Sequence, residues 1–138
     1  MSTASDYARF VQMLLNGGQL EGAQILSPKT VELMRADVLG DLPKQTISLG
    51  GISVVDLPPP GYGVGLTFAV NRGPAQTASI VSRGEYFWGG AAGTSFWIDP
   101  QEQMTGVWMM QTMLDLGKGE RFKQLAYQAI VDVEHTRR

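Results

Sequence analysis

The sequence predicts an α+β fold in which an antiparallel sheet is flanked by helices. Amphipathic helical patterns occur near both ends of the chain, and strand-like segments lie between them. Segregated strands and helices favour an α+β arrangement over alternating strands and helices. Residues 45–98 contain only four charged side chains, which is typical of sheet and turns covered by other elements. These four are Asp56, Arg72, Arg83 and Glu85.

Two helices are predicted in the first part of the chain. Thr3 is a good N-cap, and Asp6 three residues later completes a pattern that resembles a capping box. Asn16-Gly17-Gly18 ends this helix, because glycine adopts the left-handed conformation that a helix end requires. Ser27-Pro28 begins the second helix with an N-cap and a proline in the first turn. The first helix carries an apolar stripe at helical spacing, formed by Tyr7, Phe10, Val11, Leu14 and Leu15.

Strand patterns occupy the second half of the chain. We expect residues 37–60 to form a long irregular connection, residues 62–70 a strand, and residues 71–74 a turn. Three more strands are predicted over residues 85–88, 94–98 and 104–112. A last helix begins at about Glu120. Its predicted inward stripe consists of Phe122, Leu125, Ala126, Ala129, Ile130 and Val133.

Composition excludes several classes of function. The 138 residues, 15.0 kDa, correspond to one domain or a part of one. A net charge of −2 and a pI near 5.3 argue against nucleic-acid partners. The chain has no cysteine, and its one histidine, His135, lies near the C-terminus, so we expect neither a metal nor another cofactor. No apolar run is long enough to span a membrane, so no membrane partner is expected.

The isolated side chains that could take part in catalysis are interpreted as structural. Ser79, Ser82 and Ser95 stand in neither a G-x-S-x-G nor an S-x-x-K pattern, and the spacing identifies no base for any of them. No acidic cluster has metal-ligand spacing. We expect the acids of the last third, Asp99, Glu102, Asp115 and Glu120, to be solvated. We expect the methionines, Met104, Met109, Met110 and Met113, to fill the core.

One segment, residues 84–100, has a distinct composition. Its Trp88-Gly89-Gly90-Ala91 run is followed by further small residues. One interpretation is a glycine-rich hairpin in which small residues avoid clashes. The other is a strand whose main-chain N–H groups approach a ligand closely and stabilise an oxyanion during acyl transfer. The pattern alone leaves both open and favours the first.

The segment resembles the Lys-Thr-Gly strand, the third motif of the serine β-lactamase and penicillin-binding-protein superfamily. Trp88-Gly89-Gly90 is most similar to the Trp-Gly-Gly version found in family VIII carboxylesterases, which are relatives of class C β-lactamases. The opening M-S-T-A-S-D-Y-A-R-F-V-Q-M-L-L-N-G-G, the S-P-K-T-V-E-L-M segment and the Y-G-V-G-L strand follow in the order of that family. The resemblance covers nearly all 138 residues.

The resemblance implies that residues 1–138 form one partial domain, the C-terminal portion of a β-lactamase/transpeptidase-like fold. The family's S-x-x-K and tyrosine motifs lie upstream of the matched region and are not found here, so we expect the isolated chain to be inactive. The family position of the motif lysine is taken by Trp88, and Gly89 and Gly90 flank the substrate with it. The backbone N–H of Ala91 is implied as one oxyanion donor.

The implied substrate of the complete enzyme is a small ester. Replacement of the motif lysine by Trp88 removes a cation that would attract the carboxylate of a β-lactam, so ester hydrolysis is favoured over β-lactam turnover. Two alternatives to the hydrolase interpretation stay open. The first is a self-contained binding module. The second is a truncated domain that forms a homodimer, or exchanges strands, through an exposed sheet. Relatives occur in both cytoplasm and periplasm, so the compartment is left open.

Overall fold

A computed structural model of the protein describes residues 2–40, 45–49, 52–113 and 117–130. Within these ranges the chain forms four helices and nine strands, which occur in mixed order. The helices are α1 (Ala4–Leu15), α2 (Pro28–Met34), α3 (Pro74–Thr77) and α4 (Gly117–Gln128). The strands are β1 (Gln19–Leu20), β2 (Ala23–Gln24), β3 (Gln45–Leu49), β4 (Ile52–Leu57), β5 (Tyr62–Val64), β6 (Ala69–Asn71), β7 (Tyr86–Gly89), β8 (Ser95–Asp99) and β9 (Met104–Trp108).

A five-stranded antiparallel sheet in the order β5-β6-β7-β8-β9 forms the centre of the fold. Two separate hairpins, β1–β2 and β3–β4, accompany it. The predicted α+β class, with helices against an antiparallel sheet, is therefore confirmed.

Helices pack on both faces of this sheet. Successive strand residues point to opposite faces, so Phe96 and Ile98 face one layer and Trp97 faces the other. The Phe96 face packs against α1, including Val11, in a core that also holds residues of α2. The Trp97 face packs against Tyr127 of α4. The sheet is thus the middle of three layers.

The end signals predicted for the first two helices are present. The Thr3 hydroxyl accepts a hydrogen bond from the Asp6 N–H at 3.1 Å, and the Ser27 hydroxyl accepts one from the Thr30 N–H at 3.1 Å. The N–H of Gly18, whose φ is +94°, donates to the Met13 carbonyl and closes the end of α1. Local capping chemistry therefore sets these helices.

Two predictions for the middle of the chain are wrong. Residues 37–60 are not an irregular connection, because β3 and β4 pair within them, with Leu49 opposite Ile52. Residues 62–70 are not one strand, because β5 and β6 form a hairpin in which the Gly65 N–H donates to the Phe68 carbonyl at 2.8 Å. A Cβ on Gly65 would lie 2.2 Å from the Met34 carbonyl oxygen, so this glycine permits the end of α2 to approach.

The later elements occur where predicted, with different limits. The last strand ends at Trp108 rather than at residue 112, and the predicted turn at residues 71–74 contains the end of β6 and the start of α3. The inward stripe predicted for α4 is wrong in part. Leu125 is 64% exposed, whereas Lys123 is 3% exposed, because a different side of the helix packs on the sheet. Val133 lies outside the described residues.

Candidate functional site

The predicted tripeptide lies beside an open groove at one end of the sheet. The groove has a volume of about 530 Å³ and lies between the start of α1 and the loop that joins β7 to β8. Trp88 is half-buried and packs against the α1 side of the core. The groove is lined by Ser2, Ala4, Tyr7, Trp88, Gly89, Gly90, Ala92, Thr94, Ser95, Phe96, Met109, Met110 and Gln111.

A tight hairpin turn fixes the main chain next to the groove. The Gly90 N–H donates to the Thr94 carbonyl at 2.8 Å, and the Gly93 N–H donates to the Gly90 carbonyl at 2.9 Å. Gly93 has a φ of +79°, as expected for a three-residue loop that ends in a left-handed residue. The glycine-rich hairpin interpretation therefore describes the local backbone correctly.

The same strand also has an open edge, as the ligand-facing interpretation requires. β6 pairs with β7 only at Tyr86 and Phe87, so among the described residues Trp88 and Gly89 pair with β8 alone. Because the Gly90 N–H points to β8, the alternation of an antiparallel ladder directs the N–H and C=O of Gly89 away from β8. Main-chain polar groups are therefore available at this edge.

Ala91 lies at the tip of the hairpin. It is exposed and is not among the residues that line the groove. Its N–H donates to no acceptor within the described part of the chain, although its neighbour Gly90 is hydrogen-bonded. The structure therefore brings Trp88, Gly89 and Gly90 to the groove and leaves the Ala91 N–H unpaired beside it.

No charged side chain lines the groove among the residues that the structure describes. Of those lining side chains only Tyr7 can titrate, and burial raises the pKa of its phenol. The walls are aromatic and sulfur-containing: the rings of Tyr7 and Phe96 lie 5.2 Å apart, and Met109 and Met110 close another side. The prediction that the methionines fill the core is wrong for Met109 and for Met113, which are 40% and 71% exposed.

The serines have no arrangement suited to nucleophilic catalysis among the described residues. The Ser79 hydroxyl accepts a hydrogen bond from the Val81 N–H, and the Ser82 hydroxyl donates to Glu102 at 3.4 Å. Ser95 lines the groove but has no hydrogen-bonded base in the described part of the chain. The structural interpretation of these serines agrees with the contacts.

A buried polar cluster lies on the other face of the sheet, and the sequence did not reveal it. Asp99 was expected to be solvated, but it is 0% exposed, so that expectation is wrong. Its Oδ2 accepts a hydrogen bond from the Tyr127 hydroxyl at 2.6 Å, and its Oδ1 accepts from the N–H groups of Gln101 and Glu102. These three donors replace the water that a buried carboxylate loses.

The second part of this cluster joins Glu85 to Lys123. The Nζ of Lys123 lies 3.3 Å from Oε1 of Glu85 and 3.0 Å from Oε1 of Glu120. It also lies 4.7 Å from the centroid of the Phe87 ring, a favourable position for a cation over an aromatic face. The available sequence signal was the i, i+4 pair Lys123 and Tyr127, which lies beside the apolar stripe of the last helix.

Across residues 2–40, 45–49, 52–113 and 117–130, no group of three or more His, Cys, Asp or Glu side chains is arranged to hold a metal ion. No helix within those ranges is long and apolar enough to cross a membrane.

Comparison with known proteins places these elements in a family. The Beta-lactamase family model matches residues 1–129. Protein Rv1367c from Mycobacterium tuberculosis strain H37Rv is 38% identical over 118 residues, which are 83% of this chain and 28% of that protein. The uncharacterized protein MT1414 from M. tuberculosis strain CDC 1551 matches equally. The chain thus spans less than a third of the length of these curated relatives.

Solved structures share the fold. EstCE1, a hydrolase with promiscuous acyltransferase activity, superposes with a TM-score of 0.66 at 26% identity, over 95% of this chain and 30% of its own. A penicillin-binding protein homologue from Caulobacter crescentus gives a TM-score of 0.66 at 18% identity, over 94% of this chain and 32% of its own. The second likeness shows the fold alone. The predicted resemblance is confirmed, and the chain belongs to the Beta-lactamase family.

Proposed function

We propose that the chain is the C-terminal portion of a serine hydrolase-like domain that hydrolyses small neutral esters through an acyl-enzyme. Trp88, Gly89 and Gly90 flank the bound acyl group, and the Ala91 N–H is one of two oxyanion donors. The observation that carries the proposal is the edge of β7 at Trp88 and Gly89, which pairs with no second strand in the described chain and lies next to a groove whose described lining carries no charged side chain.

The chemistry of the groove supports a neutral substrate. A carboxylate brought into it would lose water and would meet no cation among the lining residues, which is unfavourable in a confined apolar site. An ester acyl group carries no charge and gains contact with Trp88 and Phe96. This supports ester hydrolysis over turnover of an anionic β-lactam.

The nucleophile of the complete enzyme is expected in polypeptide other than these 138 residues. No serine of the sequence is followed by a lysine three positions later, and acyl-enzyme formation needs a hydroxyl with a base in reach. The purified chain should therefore release no p-nitrophenol from a short p-nitrophenyl ester above the rate in buffer. Saturable hydrolysis that disappears on substitution of one serine would contradict the assignment.

Binding provides a second test that needs no catalysis. A neutral aryl alkyl ketone imitates the ester without being hydrolysed, and ligand-observed NMR should detect its contact with the chain. Trp88→Ala should remove the signal by opening one wall of the groove. Phe122→Ala is the matched control, because Phe122 is an exposed aromatic residue on α4 and does not line the groove. Equal loss in both variants would contradict the assigned groove.

A self-contained binding module is the second candidate function. The observation that favours it is the closed packing of both sheet faces by helices within this one chain. Such a module should be a monomer that unfolds cooperatively, with no dependence of its unfolding on protein concentration. Light scattering after size-exclusion chromatography distinguishes it from a chain that associates through its sheet.

A further inference from the structure

The carboxyl group of Glu85 is enclosed between the sheet and α4. Glu85 is 0% exposed, and its Oε1 lies 3.3 Å from the Nζ of Lys123. Its Oε2 has no hydrogen-bond partner among the described residues. An ionised carboxylate has lone pairs on both oxygens to satisfy, so burial with one oxygen unpartnered disfavours the charged form.

Carboxylates outnumber cations around this group. Asp99 faces it from β8, because the register that pairs Tyr86 with Ile98 continues to Glu85 and Asp99. Glu120 faces it from α4 and shares Lys123 with it. Two phenols complete the surroundings, Tyr62 of β5 and Tyr127 of α4. The Glu85 charge contributes to raising the pKa of both.

The hydrogen bonds distinguish the two buried acids. Asp99 accepts from the Tyr127 hydroxyl and from two backbone N–H groups, whereas Glu85 accepts a hydrogen bond from Lys123 and lies near the Tyr62 hydroxyl. Three donors stabilise a carboxylate better than one shared ammonium group. When a proton enters this cluster, the geometry therefore directs it to Glu85.

We propose that Glu85 is a proton-binding switch whose protonation stabilises the folded chain. The direction of titration agrees with the geometry. Burial raises the pKa of Glu85 to about 7, Lys123 opposes the rise, and the carboxylates of Glu120 and Asp99 add to it.

The sign of the pH dependence follows from linkage. In the unfolded chain Glu85 titrates near its ordinary pKa of about 4.3. Between about pH 5 and pH 7 the folded chain therefore binds one more proton at this position, and stability decreases as pH rises. The stabilisation by protonated Glu85 is complete below the pKa that this residue has in the unfolded chain, and it is lost as pH rises through about 7. This is opposite to the usual acid denaturation by paired carboxylates.

Urea unfolding of the 138-residue chain at a series of pH values tests the switch. We expect the unfolding equilibrium constant to rise up to about tenfold per pH unit between about pH 5 and 7. Because imidazole side chains ordinarily titrate in the same window, the measurements use a His135→Gln background. In that background Glu85→Gln should remove the rise, and an unchanged rise would overturn the proposal.

Two further variants should shift the pH midpoint of the Glu85 titration in opposite directions. Lys123→Met removes the attracting cation and should move it to higher pH, whereas Asp99→Asn removes a repelling charge and should move it to lower pH. Carbon-13 NMR of the Glu85 carboxyl in the otherwise unaltered chain gives an answer even if a variant does not fold. A midpoint above about pH 6 supports the switch, and one within a unit of the ordinary value of about 4.3 overturns it.

Discussion

Gly93 shows at the scale of one residue how the hairpin beside the groove is determined. Its φ of +79° is costly for any residue with a Cβ. A Cβ at this position would also lie 2.9 Å from both Cγ of Met110 and the Thr112 carbonyl oxygen. Conformation and close packing therefore both require glycine, and Met110 is itself a wall of the groove.

These two requirements can be separated by comparing Gly93→Ala with Gly84→Ala. Gly84 has a φ of +86° but open space around its Cβ position, so alanine there should cost only the conformational part, about 1 kcal/mol. Gly93→Ala adds the displacement of Met110 and Thr112 and should cost about 2 to 4 kcal/mol in total. Urea unfolding measures both. Equal costs would mean that the packing around Gly93 is loose.

Residue type alone does not reveal which charged side chains are buried. Asp99 precedes a proline and Lys123 lies on a helix with polar neighbours, so both have sequence contexts typical of exposed positions. They become buried because the Tyr127 hydroxyl and the Glu85 carboxylate meet them across the sheet–helix contact. Those partners are 28 and 38 residues away in the chain, beyond any local pattern.

At the scale of elements, the sequence predicts best where local chemistry decides. The capping residues Thr3 and Ser27 begin α1 and α2, and β-branched and aromatic residues identify the three strands β7, β8 and β9. The β3–β4 hairpin was missed although Gly50-Gly51 separates its strands in the sequence, a recognised hairpin signal.

The remaining errors concern elements that tertiary contacts determine. The 62–70 segment divides into β5 and β6 because the end of α2 approaches Gly65. The burial of α4 depends on its polar contacts with the sheet, and an apolar stripe calculated from the helix alone cannot include them. At the candidate site, the family resemblance predicts Trp88, Gly89 and Gly90. The open edge of β7 could not be predicted in this way, because it is visible only in the pairing of β6 with β7.

The cap of α1 gives a prediction at this scale. Thr3 accepts a hydrogen bond from the Asp6 N–H and donates one to the Asp6 carboxylate at 2.7 Å, so Thr3→Ala should cost about 1 kcal/mol of stability. Because Ala4 and Tyr7 line the groove, fraying of this helix end should also weaken ketone binding. Thr3→Ser keeps the hydroxyl and is the control. If Thr3→Ala kept both its stability and its ketone binding, this role of the cap would be contradicted.

At the scale of the whole molecule, packing and accessibility are distributed unequally. Helices cover both faces of the sheet, while its two outer strands in the described chain, β5 and β9, each have one neighbour. Edge strands present unpaired N–H and C=O groups that pair readily with another chain. All five residues of β9 are half-buried.

Self-association through β9 is therefore the prediction for the chain as a whole. The Gly90–Thr94 hydrogen bond shows that the main-chain groups of Thr94 point to β7, so along β8 those of Trp97 point to β9. Trp97 is paired with Gly106, whose main-chain groups therefore point to β8. Those of Thr105 and Val107 point outward. We expect light scattering to show a monomer–dimer equilibrium that depends on concentration. Thr105→Pro removes one outward N–H without removing a bond to β8, so it should shift the equilibrium to monomer. Thr105→Val keeps that N–H and should leave the equilibrium unchanged; a monomer at every concentration would rule out pairing through this edge.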